Sequence, residues 1–163
     1  MRSVISVYVE NKYGVLARVS GLFMRRGFNI DSLAVGETED ANYSRITITL
    51  NGDDYAREQL INQVKKLHNV KKVKLLEPEV LIERELMLIK IKNTEENKRA
   101  LKEAIGSYNA KLAGDTDKAI CVEVTGEPAE LNAFISTAKP LGIIEMCRTG
   151  AVALQRGGSI MEK

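Results

Sequence analysis

The chain has 163 residues, of which 44% are hydrophobic and 28% charged, with 24 basic against 22 acidic side chains. This composition excludes a disordered chain, and a net charge of +2 is too balanced for a nucleic-acid or anionic-membrane binder. The N-terminal pattern differs from that of a signal peptide, and no stretch approaches the roughly 18 apolar residues of a membrane helix. We therefore expect a cytoplasmic protein.

The first half of the chain predicts the order strand, helix, strand, strand, helix, strand. Strands follow from alternating apolar residues, and helices follow from apolar residues spaced at 3.6-residue intervals. The predicted strands cover residues 5–10, 30–35, 44–50 and 70–76, with helices from Val15 and after an Asp53 N-cap. Gly27 suits the left-handed position that ends the first helix.

Pro78, between two glutamates, predicts a short linker, after which the same order returns. The second set contains predicted strands at 85–91, 111–113, 119–125 and 143–154, with helices at 95–108 and from Pro128. The sequence thus predicts an α+β protein of two consecutive ferredoxin-like (βαββαβ) units, residues 1–77 and 81–158, with a tail at 159–163.

Each unit should place both helices on one face of a four-stranded antiparallel sheet. In the first unit the opposite face, which includes Tyr8 and several Thr and Ser, is expected to be open, so that another subunit could cover it. Edge strands favour side-by-side pairing into a larger, dimeric sheet, because pairing removes the exposed edges.

Patterns for catalysis or metal binding are missing from the sequence. His68 is the only histidine. It lies at a polar helix end, where the helix dipole favours a cation. Cys121 and Cys147 form no Cys-x-x-Cys pair and are expected to be small buried hydrophobes in a reducing compartment. Neither a phosphate-binding loop nor a dinucleotide fingerprint occurs. We expect no catalysis by this chain alone, no metal and no cofactor of its own.

Gly14 is the most informative position, since it opens a helix directly after the first strand. Backbone N–H groups at a helix start are unsatisfied and favour an anion. A glycine lets a carboxylate approach them, and Asn11 can cap the helix or bind the same ligand. An ordinary turn between strand and helix explains the same residues equally simply.

Five segments of the chain carry a wider signal: residues 10–19 (ENKYGVLARV), 25–33 (RRGFNIDSL), 82–86 (IEREL), 148–150 (RTG) and 153–157 (ALQRG). Taken together, they resemble the small, regulatory subunit of acetohydroxyacid synthase (acetolactate synthase), and the resemblance covers nearly the whole chain. Asp31 stands where this family often has Glu.

The resemblance implies that the first unit is an ACT domain, which binds amino acids at a dimer interface. It also implies a catalytic large subunit as partner, and this partner would hold thiamine diphosphate, magnesium and FAD. The chain would activate that subunit and make it sensitive to valine. Carried over by motif, the effector-binding residues are Asn11, Gly14, Val15 and Leu16 of one protomer with Asn29 and Ile30 of the other.

Three other interpretations use the same fold. An RNA-recognition module needs paired exposed aromatic residues on the third strand, and residues 44–50 contain none. An acylphosphatase-like hydrolase needs an arginine in the loop after the first strand, where this chain has Lys12. A free-standing amino-acid-sensing ACT protein without a synthase partner stays open, because its ligand site would look the same.

Overall fold

A computed structural model describes residues 2–158 and 161 of the chain. It confirms the predicted α+β fold of two βαββαβ units. The elements of the first unit are β1 (Arg2–Glu10), α1 (Val15–Arg25), β2 (Ile30–Glu37), β3 (Tyr43–Asn51), α2 (Asp54–Val64) and β4 (Val70–Leu76). Those that follow are β5 (Leu81–Lys92), α3 (Glu95–Ser107), β6 (Ala110–Asp115), β7 (Ala119–Gly126), α4 (Pro128–Ala138), β8 (Ile143–Arg148) and β9 (Val152–Gln155).

The first sheet has the strand order β2-β3-β1-β4, and all its pairs are antiparallel. One face of this sheet packs against α1 and α2. The core between them contains Ile5 and Val7 of β1, Phe23 of α1 and Leu60 of α2, each with no exposed surface. The predicted caps are confirmed, because the Asp53 side chain accepts from the Ala56 N–H at 2.8 Å and Gly27 has a φ of 73°.

The second sheet repeats the topology, with the order β6-β7-β5-β8, and β9 pairs with β5. Its core lies between the sheet and helices α3 and α4 and includes Ile89, Val122 and Phe134. Cys147 is exposed and Cys121 only half-buried, which corrects the expectation that both are buried. The reason is the strand register: Cys147 lies opposite Leu88 and Cys121 opposite Lys90, and these two β5 residues alternate with the buried Met87, Ile89 and Ile91.

The division of the chain differs from the sequence-based boundaries. The compact first unit runs to Ile82 and also includes a segment that begins at Ala151, while the second unit is Glu83–Gly150. Residues 151–158, expected in the second unit, therefore pack in the first, and we call residues 151–158 the return segment. The predicted tail at 159–163 lies outside the described residues except for Met161.

The second face of the first sheet is buried, so the prediction of an open face is wrong. Ser6, Thr47 and Thr49 on that face are at most 4% exposed. The return segment covers part of it, because Ala153 packs with Val4 and Leu76 in one cluster.

None of the helices within the described part of the chain combines the length and apolar character needed to cross a membrane.

Candidate functional site

Helix α1 begins at Gly14 without a side-chain cap among the described residues. Gly14 has φ 76°, in the left-handed region that glycine adopts most easily, and the first turn that follows contains no acidic residue. The Val15 N–H reaches the Lys12 carbonyl at 3.3 Å, a long hydrogen bond. The helix start therefore presents N–H groups and the positive end of the dipole, which favours an anion.

Arg18 adds a positive charge beside this helix start. A Cβ atom on Gly14 would lie 3.8 Å from Nη2 of Arg18. Nη1 of Arg18 donates to Oδ1 of Asn69 at 2.7 Å, and Nδ2 of Asn69 donates to Oε2 of Glu10 at 2.7 Å. This chain of hydrogen bonds holds the guanidinium over the Gly14 loop.

Glu10 anchors that arrangement. Its carboxylate contacts Nζ of Lys71 at 2.6 Å and Nζ of Lys12 at 2.9 Å. The hydrogen bonds from Lys71, then Lys12, then Asn69 lower the pKa of Glu10 from 4.5 to about 2. The residue is therefore ionised at any pH near neutral.

Asn11 does not cap α1. Its Nδ2 donates to Oε1 of Glu37 and to the Ala41 carbonyl, both at 3.0 Å, and its backbone N–H donates to the Asn42 carbonyl at 2.7 Å. These bonds fix the side chain through its amide nitrogen. The amide oxygen is then the atom that can accept a hydrogen bond from a ligand.

The other expected site residues fall in two groups. Val15 is buried in the core and can offer only its backbone, while the side chain of Leu16 is 41% exposed next to Gly14. Asn29 is exposed and Ile30 half-buried, at the start of β2.

The structure does not bring these two groups together in one chain. Ile30 lies opposite Leu50, and Leu50 lies opposite Ser3 near the start of β1, whereas Gly14 follows the end of β1. Ser3 and Glu10 are seven positions apart on this strand, which corresponds to roughly 23 Å. A site that uses both groups needs a second chain.

Sequence reasoning missed Arg18, Asn69 and Glu10. Arg18 reads as one more solvent-facing charge on α1, and the contact to Asn69 joins residues 51 positions apart. No local pattern signals such a contact. Among the described residues, no three His, Cys, Asp or Glu side chains group as they would to hold a metal ion.

Comparisons with known proteins match both halves of the chain. Residues 5–72 match the family described as the AHAS small subunit-like ACT domain, and residues 84–157 match the family described as the small subunit of acetolactate synthase.

Individual proteins match over almost the full length. The chain is 45% identical to a probable acetolactate synthase small subunit of Archaeoglobus fulgidus, over 96% of this chain and 98% of that protein. It is 42% identical to the acetolactate synthase small subunit of Mycolicibacterium smegmatis, over 94% and 90% of the two chains.

A solved structure agrees. The crystal structure of the acetolactate synthase small subunit from Thermotoga maritima superposes with a TM-score of 0.89 at 36% identity, covering 98% of this chain and 99% of that one. The chain therefore belongs to the family of acetolactate synthase small subunits.

Proposed function

We propose that this chain activates the thiamine-diphosphate-dependent catalytic subunit of acetolactate synthase and makes it sensitive to feedback inhibition by valine. Membership of the small-subunit family supports the partnership. The uncapped start of α1 carries the proposal of an amino-acid effector, because it offers N–H groups, the dipole and the Arg18 guanidinium to a carboxylate.

Other residues of the proposed site suit the ammonium group and the side chain of a branched-chain amino acid. The amide oxygen of Asn11 can accept from the ligand's ammonium group, since the amide nitrogen is already used. The exposed part of Leu16 offers an apolar surface to an isopropyl group. Ile30 from a second protomer would supply the opposite apolar wall.

The shared site requires a homodimer through the first unit. Strand β2 lies at the edge of the first sheet, so its outer side is open to pairing with a second copy. Met24 of α1 and Val35 of β2 are both exposed apolar side chains, which a second copy could cover. These features support a dimer formed along β2 and α1.

Reconstitution with the catalytic subunit tests the function. We expect the chain to raise acetolactate formation by the catalytic subunit, and we expect valine to reverse that rise, with leucine and isoleucine as comparison ligands. A chain that binds valine yet neither associates with the synthase nor changes its rate would instead be a free-standing amino-acid sensor.

Mixing two defective variants tests the shared site. In a symmetric dimer each site takes Gly14 from one chain and Asn29 from the other. A Gly14→Asp chain mixed with an Asn29→Ala chain should therefore recover about a quarter of the sites, because half of the dimers are mixed and each has one intact site. No recovery after subunit exchange would contradict a site built from both chains.

A further inference from the structure

The hydroxyl of Ser32 joins two segments of the first unit that are 119 residues apart in sequence. It accepts from the backbone N–H of Ala151 at 3.3 Å and lies 2.7 Å from the hydroxyl of Thr49 on the neighbouring strand. Ala151 has no exposed surface, so an N–H that lost this partner would be buried without one.

Ser32 also lies next to the proposed effector residues. Asn29 and Ile30 precede it on β2, and the pairing of β2 with β3 shifts by one residue between Ile30 and Ser32. Asp31 is the extra residue of this bulge, and its carboxylate accepts from the side-chain amide of Asn51 at 2.7 Å. A bulge leaves its extra residue unpaired, disrupts the ladder locally and bends the strand.

Ala151 is the first residue after the second unit, which ends at Gly150 with a φ of 77°. The return segment therefore starts where Ser32 holds the backbone. The Ser32 hydroxyl is thus hydrogen-bonded to the first residue after the point at which the chain leaves the second unit.

We propose that Ser32 couples effector binding at Asn29 and Ile30 to the return segment, and through the peptide link at Gly150 to the second unit. This inference rests on the proposed effector site. A ligand that draws Asn29 and Ile30 toward a second protomer reshapes the bulge and shifts the hydroxyl. The Ala151 N–H then either moves with the Ser32 hydroxyl or loses it as an acceptor. Ser32 is therefore a positioning residue for inhibition rather than a ligand-binding residue.

The test compares Ser32→Ala with Ser32→Thr, which keeps the hydroxyl, and with Ser20→Ala. Ser20 is a matched control because, in the part of the chain that the structure describes, its hydroxyl bonds within α1, to the carbonyls of Leu16 and Ala17. Each full-length chain is measured for valine affinity by calorimetry, for activation of the catalytic subunit without valine, and for residual activity at saturating valine.

We expect Ser32→Ala to bind valine and activate normally but to leave at least about fivefold more residual activity at saturating valine, a usual size for allosteric coupling. Ser32→Thr should restore inhibition, and Ser20→Ala should behave as wild type. Inhibition of Ser32→Ala to the wild-type level would overturn the inference, as would equal losses of binding and activation that Ser32→Thr does not restore.

Hydrogen exchange of the Ala151 amide in the wild-type chain gives a second measurement that needs no variant. Valine should change its exchange rate by at least about fivefold. Bound valine with unchanged exchange at Ala151 would overturn the coupling while leaving the effector site intact. A wild-type chain that binds no valine would refute the proposed function itself.

Discussion

Helices α1 and α3 occupy the same place in the two units, yet their first turns are opposite in chemistry. Gly14 opens α1 with no side-chain cap, whereas the hydroxyl of Thr94 accepts from the Asn97 N–H at 3.1 Å at the start of α3. Glu95 and Glu96 also place two negative charges in the first turn of α3. One helix start is open to an anion, and the other is closed by its own side chains.

The contrast extends to the neighbouring residues. Asn97 in the second unit is buried, and its amide donates to the carbonyls of Lys92 and Leu141, both at 2.8 Å. This amide ties the helix start to the sheet and to the turn after α4. Asn11 in the first unit is exposed and keeps its amide oxygen for another partner. In the proposed function, the repeated topology serves stability in the second unit and ligand recognition in the first.

The largest effect should come from closing the open helix start with Gly14→Asp. The new carboxylate can cap the N–H groups itself and repels a ligand carboxylate, so valine affinity should fall at least about tenfold, or about 1.4 kcal/mol. Calorimetry measures the affinity, and reconstituted activity should still show activation.

Two variants serve as controls for Gly14→Asp. Gly157→Asp places the same side chain at another glycine with a positive φ, where nothing lies within 4 Å of an added Cβ. Gly14→Asn has nearly the same shape without the charge. If Gly157→Asp weakens valine binding as much as Gly14→Asp, the loss reflects backbone strain and the effector site lies elsewhere.

Removing the cap from the closed helix start should affect stability instead of binding. Thr94→Ala should lower the free energy of unfolding of the second unit by about 1 kcal/mol, because the Asn97 N–H loses its acceptor. Hydrogen exchange of the β5 and β7 amides measures this loss, and Asp53→Ala should give a similar loss in the first unit. An equal drop in valine affinity for Thr94→Ala would contradict the division of roles.

Lowering the pH should destabilise the first unit by protonating Glu10, whose hydrogen bonds help to position Arg18 beside the start of α1. Because the folded pKa of Glu10, about 2, lies below the ordinary 4.5, its carboxylate stabilises the first unit above that ordinary value. The contribution falls away as pH drops from about 5 through about 2. Glu10→Gln should therefore flatten the pH dependence of the urea midpoint across that window. An unchanged pH dependence of the urea midpoint would show that the contacts of Glu10 to Lys71 and Lys12 do not stabilise the fold in solution.

The smallest effect should come from the exposed ion pair of the second unit, Lys90 with Glu145 at 2.6 Å. Lys90 lowers the pKa of Glu145, but both side chains remain solvated and lose entropy when they pair. Lys90→Met should shift the melting temperature less than Thr94→Ala does. A larger shift would mean that surface charge, rather than capping, dominates the stability of this unit.

Sequence predicted the elements of both units closely, because alternation and 3.6-residue spacing are local properties. The Asp53 cap and the end of α1 at Gly27 were predictable for the same reason. The covered sheet face was not, since it depends on Ala151 and Ala153 meeting strands more than a hundred residues earlier. Polar residues such as Ser6 and Thr47 resemble a solvent-facing strand whether or not another segment packs on them.

The candidate site was predictable only in part. Gly14 and Asn11 carry a local signal of strand, turn and helix start, and the family resemblance added Asn29 and Ile30. The hydrogen bonds from Arg18 to Asn69 and from Ala151 to Ser32 have no such signal. They arise from strand order and packing, which composition and spacing do not encode.

The return segment has a consequence for how the protein is made. Translation runs from the N-terminus, so residues 151–158 leave the ribosome only after the whole second unit has been synthesised. Until then the sheet face with Val4 and Leu76 lacks the Ala153 side chain that packs against it. The first unit is therefore begun first but completed last, because residues 151–158 can cover this face only once the second unit has been made.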